Sequence, residues 1–168
     1  MDIDTFLNLH GISLERHAHP AVMTCAEADL LVPRLPGART KNLFLYGKKS
    51  RNHLLVTVPS DSSVDLARLG ELLGLGKLSL ASSVSLAEHL GVSPGAVSLL
   101  ALFNDKTLSV EFVIDSSLWE ASAVLAHPLV NTATVIVPKG ALLRFLAATG
   151  HIPRVISVPV RTFEQVTS

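Results

Sequence analysis

Two strand-forming runs separated by six residues constrain this chain more than any other feature. Lys41 to Tyr46 and His53 to Pro59 are rich in Leu, Phe, Tyr and Val, and the link between them, Gly47 to Asn52, reads Gly-Lys-Lys-Ser-Arg-Asn. A polar link of that length makes an antiparallel hairpin, because a parallel return needs a dozen residues or more. Helical patterns lie on both sides. Ile3, Phe6, Leu7 and His10 share a helical face that Gly11 ends, and Val64, Leu66, Leu69, Leu72 and Leu73 share another that Gly74 ends. Thr24 with Glu27, and Ser85 with Glu88, have capping-box spacing, predicting a helix from Cys25 to about Val32 and a short one closed by Gly91.

The remaining strands are read from short apolar runs. Leu14 to Ala18 is one. Leu99 to Phe103 and Leu108 to Ile114 suggest a second hairpin turning at Asn104-Asp105. Ala123 to Ala126 and Thr132 to Val137 are strand-like, the latter with two different faces. A helical turn is expected around Trp119, a final helix over Gly140 to Ala148, and a closing strand over Val155 to Val160. Helices and strands alternate without a strict βαβ repeat. The fold class that follows is α+β, one domain over residues 1–168, with a mixed, largely antiparallel sheet flanked by helices.

Composition limits the function. With 168 residues, 48% of them apolar and 17% charged, the chain can bury one sizeable core. Lys plus Arg and Asp plus Glu both number 14, which weighs against a wide, sequence-independent nucleic-acid binder and leaves room for an enzyme that holds one end of an RNA. Arg34, Arg39, Lys41, Lys48, Lys49 and Arg51 offer a local basic patch, or a solvated hairpin tip. Cys25 is the sole cysteine, so no internal disulfide or multi-cysteine zinc site can form. The acidic start MDIDTFLNLHG lacks the pattern of a signal peptide, and no apolar run would span a bilayer; a cytoplasmic protein is expected.

Four short segments carry residues suited to chemistry. Lys41, at the start of a strand and next to Asn42, can hold a phosphate or polarise an ester carbonyl, or be an exposed strand-end lysine. Gly91, Val92, Ser93, Pro94 and Gly95 form a loop that can bring backbone N–H groups close to a ligand, or a helix cap followed by a turn. His127, before Pro128, can position water or bond a carbonyl or ribose, or serve as a structural histidine; Asn131 follows it. His17 and His19 share one side of a strand, a weak metal pair without further ligands. No Ser-His-Asp order worth defending and no convincing carboxylate pair is present. A lysine, an amide, a histidine and a Gly/Pro loop suit an activated ester better than an amide.

Taken in order, His19-Pro20-Ala21-Val22-Met23-Thr24, Thr40-Lys41-Asn42-Leu43-Phe44-Leu45, Gly91 to Ser98, Ala101-Leu102-Phe103-Asn104-Asp105 and His127-Pro128-Leu129-Val130-Asn131-Thr132 resemble the motifs of the YbaK/ProX type of prolyl-tRNA editing proteins. The resemblance implies the editing-domain fold and hydrolysis of the aminoacyl ester at the 3′-terminal adenosine of a mischarged tRNA for proline. It implies Lys41 as the catalytic lysine and the Gly91–Gly95 loop as the cradle of the adenosine and ester. No metal and no cofactor is implied, and a ribose hydroxyl of the substrate is expected to help place water. The TKNLFL and HPLVNT pairing looks most like the alanine-specific branch, with Asn42, His127 and Asn131 at the pocket. The expected partners are the acceptor end of mischarged tRNA and, transiently, prolyl-tRNA synthetase or an elongation factor, with no DNA and no membrane. Three alternatives stand beside it: a sister deacylase for Cys, Ser or Thr, a non-catalytic tRNA- or synthetase-binding module, and a hydrolase of another small ester.

Overall fold

The computed structural model describes residues 1–22, 24, 27, 30 and 34–162. The elements are α1 (Ile3–Leu9), β1 (Glu15–Ala18), β2 (Thr40–Gly47), β3 (Asn52–Pro59), α2 (Leu66–Leu73), β4 (Leu78–Leu80), α3 (Ser83–Leu90), β5 (Val110–Asp115), α4 (Ser116–Glu120), β6 (Ala123–Ala126), β7 (Ala133–Pro138), α5 (Lys139–Thr149) and β8 (Arg154–Ile156), with two short 3-10 helices at Pro94–Ala96 and Leu99–Asn104. The helix expected from Cys25 falls largely outside the described residues, but its capping box is seen. Glu27 N–H donates to Thr24 Oγ1 and Thr24 N–H to Glu27 Oε1, both at 3.1 Å.

The strands form two sheets, one antiparallel in the order β1-β7-β6 and one mixed in the order β4-β2-β3-β5-β8. The hairpin of β2 and β3 has the expected antiparallel register, with Asn42 opposite Thr57. Its two faces bury two cores. Phe44 and Leu55 enter the larger cluster, with Leu99 to Phe103 and Phe145; Leu45, Leu54, Val56 and Val58 enter the smaller one, under α2. The sheets meet where the chain enters β2. Ala38 bridges Val124 beside β6, and Thr40 Oγ1 donates to Leu125 O at 2.6 Å. The result is the expected α+β fold.

Three local expectations are corrected. Leu99 to Phe103 is not a strand of a second hairpin but a fully buried 3-10 helix, and β5 lies parallel to β3. An unbroken apolar run has no periodicity to separate a buried strand from a buried helix. The cap of α3 is Ser82, whose side chain accepts from Ser85 N–H; the Ser85 side chain turns instead to His53. The last strand stops at Ile156, and Val160 adds only an isolated bridge to Val64. Among the described residues no helix is long and apolar enough to cross a membrane.

Candidate functional site

Strand β4 covers β2 only from Leu45 to Gly47. Ala81 N–H still reaches Phe44 O, so the even-numbered residues of β2 direct their backbone groups to that side. The next step along the ladder would place residue 83 opposite Asn42, but Ser83 begins α3. Asn42 therefore lies where the sheet loses its outer strand, close to the junction of the two sheets.

Its side chain is held in place. Thr57 Oγ1 donates to Asn42 Oδ1 at 2.6 Å, and Asn42 Nδ2 points to Val97 O at a long 3.5 Å. The next residue continues the chain of contacts: Ser98 Oγ donates to His127 O at 2.6 Å and accepts from Leu100 N–H. Ser98 is buried, so this pair of bonds fixes the end of the loop against the end of β6. Asn42, the Val97-Ser98 segment and His127 form one connected arrangement.

His127 is half-buried on the turn from β6 to β7, and its Nδ1 lies 3.0 Å from Ala133 O. A carbonyl only accepts, so Nδ1 carries the proton and Nε2 presents a lone pair. Burial holds its pKa below the ordinary histidine value; the bond to Ala133 O opposes this, and neighbouring His19 adds to it. The His19 and His127 rings are 6.3 Å apart. His19 Nδ1 faces Pro20 O at 2.8 Å and its Nε2 faces Thr134 Oγ1 at 2.9 Å. The same turn contains Leu129 at φ 66, a left-handed conformation unusual for leucine, and Asn131, whose carbonyl accepts from Val22 N–H. The arrangement offers an amide, a neutral imidazole and an unfinished strand edge, a set that can bind and orient a polar ester and its attacking water.

The other expected residues are placed differently. Lys41 neighbours Asn42, yet the pleat puts them on opposite faces: Lys41 is opposite Val58, on the side of Leu43 and Val56. Its side chain makes no hydrogen bond or ion pair with a described residue. Gly91 is the left-handed cap of α3, at φ 64, and packs against Asn104, whose Nδ2 donates to Leu90 O. Val92 is buried in the larger core. Ser93 and Pro94 are exposed, and Pro94–Ala96, with Gly95 in its middle, is a 3-10 turn closed by Ala96 N–H to Ser93 O. The loop thus approaches the arrangement through Val97 and Ser98, and its first two residues serve the helix end and the core. His17 bonds Glu15 rather than a shared ligand, and no group of three His, Cys, Asp or Glu side chains suited to a metal occurs among the described residues.

Thr57, Ser98, His19 and Thr134 are absent from the expected site. Thr57 was within reach of the sequence, because the hairpin register puts a polar residue of an apolar strand opposite Asn42. Ser98 had only a weak signal, a hydroxyl directly before a five-residue apolar run.

A profile of the aminoacyl-tRNA editing domain matches residues 19–145. The chain is 37% identical over 160 residues to the mouse (Mus musculus) prolyl-tRNA synthetase associated domain-containing protein 1, covering 93% of this chain and 94% of that one. It is 36% identical over 140 residues to the prolyl-tRNA editing protein ProX of Acetoanaerobium sticklandii, covering 83% and 85%. A crystal structure of a protein proposed as a trans-editing enzyme for prolyl tRNA synthetase superposes with a TM-score of 0.70 at 23% identity, over 95% of each chain, and supports the fold. The chain belongs to the aminoacyl-tRNA editing domain family.

Proposed function

We propose that this member of the aminoacyl-tRNA editing family is a trans-editing hydrolase that removes alanine wrongly attached to tRNA for proline. The observation that carries the reading is the connected set of Asn42, Val97-Ser98 and His127 beside the unfinished edge of β2. In hydrolysis, water adds to the ester carbonyl at the 3′-terminal ribose, the carbonyl oxygen takes up negative charge, and the ribose oxygen leaves with a proton. Asn42 orients the aminoacyl ester. The lone pair on His127 Nε2 accepts a hydrogen bond from a ribose hydroxyl, from the attacking water or from the substrate's ammonium group.

Lys41 supplies positive charge to the ester or the adjoining phosphate. Its stem leaves β2 on the opposite face from Asn42, at the stretch β4 does not cover, and a four-carbon side chain there can turn round the strand edge. Gly95 and its neighbours form the wall against the terminal adenosine. The pocket selects by size, since a proline ring that overlaps the wall is rejected more strongly than a missing methylene, worth about 1–3 kcal/mol, could be sensed. The substrate places the protein in the cytoplasm, with transient contact with prolyl-tRNA synthetase or an elongation factor.

The test is a panel of alanyl-, cysteinyl-, seryl-, threonyl- and prolyl-tRNA incubated with the protein at matched concentration. Alanine is expected to be released fastest. Faster release of Cys, Ser or Thr moves the protein to a sister branch, and tRNA binding without release of any amino acid makes it a binding module. Lys41→Ala is expected to lose most of the deacylation and keep its melting temperature; turnover near wild type would remove Lys41 from the site.

A further inference from the structure

The sequence places six basic residues near β2, and the fold divides them. Arg34, Arg39 and Lys41 precede or begin the strand, at the end occupied by Asn42. Lys48, Lys49 and Arg51 lie on the hairpin at the other end. The fold adds to this second group. Lys77 immediately precedes β4, whose Leu78 pairs with Gly47, so it belongs to the same end of the sheet. Lys49 lies along the neighbouring loop, for a Cβ on Gly76 would meet its Cδ at 3.7 Å. Lys48, Lys49, Arg51 and Lys77 are all exposed, and none of their side chains forms a hydrogen bond or ion pair with a described residue. Lys106, before β5, is instead engaged over the Phe103 ring at 5.0 Å. Glu111 accepts from Asn52 Nδ2, on the residue after Arg51, while Glu71 and Glu88 are exposed on α2 and α3. In a chain with no net charge, four cations at one end of the sheet without carboxylate partners form a local positive field.

We propose that Lys48, Lys49, Arg51 and Lys77 are a docking surface for the phosphate backbone of the substrate RNA's helical stem. The inference rests on the editing reading. If the aminoacylated terminus lies at Asn42 and His127, the rest of the RNA must leave the site across the protein. Seven residue steps lead from Lys41 to Lys48, about 23 Å at the rise of a β-strand. An unpaired single-stranded end can cross such a distance before the stem begins. Contacts to phosphate add affinity and orientation without reading sequence, so a few cations suffice and a globally basic protein is not needed.

The experiment uses the full chain, with Lys48→Ala, Lys49→Glu and Lys77→Ala singly and combined, and Arg51→Asn because Arg51 holds a left-handed φ of 60 that asparagine tolerates. Two readouts are taken across a salt series: binding of an unacylated tRNA transcript for proline, and release of alanine from that tRNA and from a short CCA-ended oligonucleotide without a stem. The expected result is weaker tRNA binding and a higher KM for charged tRNA at unchanged kcat. The slope of log K against log salt should flatten by about 0.7–0.9 for each cation removed, and the short substrate should be released at the wild-type rate. Unchanged tRNA binding, or equal losses on the tRNA and the short substrate, would overturn the proposal. If the wild-type protein releases alanine from neither substrate, the editing reading fails; the salt dependence of transcript binding then decides the docking surface independently.

Discussion

His127 is held in one tautomer. Because Nδ1–H donates to Ala133 O, a proton arriving at Nε2 makes an imidazolium in a half-buried place next to His19, which burial and His19 both oppose. The neutral form should persist as pH falls through about 6.5, the ordinary histidine value. We expect the single-turnover rate to hold at that pH and to fall only at lower pH, with the acid limb missing in His127→Gln. A limb centred at or above 6.5, or one unchanged by the substitution, would remove His127 from the chemistry. Asn42→Ala breaks the bonds to Thr57 and Val97 and is expected to slow deacylation by about a hundredfold; a rate within a few-fold of wild type would contradict its role. These two residues were legible because an amide at a strand start and a histidine before proline already suit an ester. The bonds that join them were not, since Ser98 and His127 are distant in sequence and meet only when the two sheets do.

The glycines around Ser93-Pro94 divide in role. Gly91 ends α3 in a left-handed conformation, and a Cβ there would come within 2.9 Å of Asn104 Nδ2. Gly91→Ala is therefore expected to lower stability by about 1–2 kcal/mol, read as a shifted urea midpoint, with catalysis by the remaining folded protein little changed. Gly95→Val should do the reverse and impair deacylation while leaving the midpoint alone. A Gly91 variant that is as stable as wild type but inactive would restore Gly91 to the ligand site. The local signals for α1, α2, α5 and the β2-β3 hairpin were in the sequence as periodicity, caps and a short turn. The 3-10 helix at Leu99–Asn104 and the parallel pairing of β5 were not, because burial on all sides erases periodicity and a parallel partner is chosen by the rest of the sheet.

One buried polar cluster ties distant parts of the fold together. His151 Nε2 lies 2.8 Å from Asp105 Oδ2, both side chains being at most 3% exposed, and joins the turn before β5 to the segment between α5 and β8. Burial alone would raise the Asp105 pKa. The bonds it accepts from His151, Val110 N–H and Ser109 outweigh burial and hold it below the usual carboxylate range. The lowered value makes this stabilisation complete above the unfolded aspartate value, about 3.9, and lost as pH falls through the folded one. Asp105→Ala leaves His151 buried without its partner and should cost about 3–5 kcal/mol, a fall in Tm of roughly 10 °C; an unchanged Tm would show that the pair is incidental. Nothing in the sequence marks this pair, since its members lie 46 residues apart and each looks like a loop residue. Editing that admits alanine and excludes proline is read from initial deacylation rates on one tRNA for proline charged with each amino acid. Rapid loss of alanine is expected, with a prolyl ester no less stable than in buffer alone; equal rates, or faster loss of proline, would mean that the protein does not edit in this way.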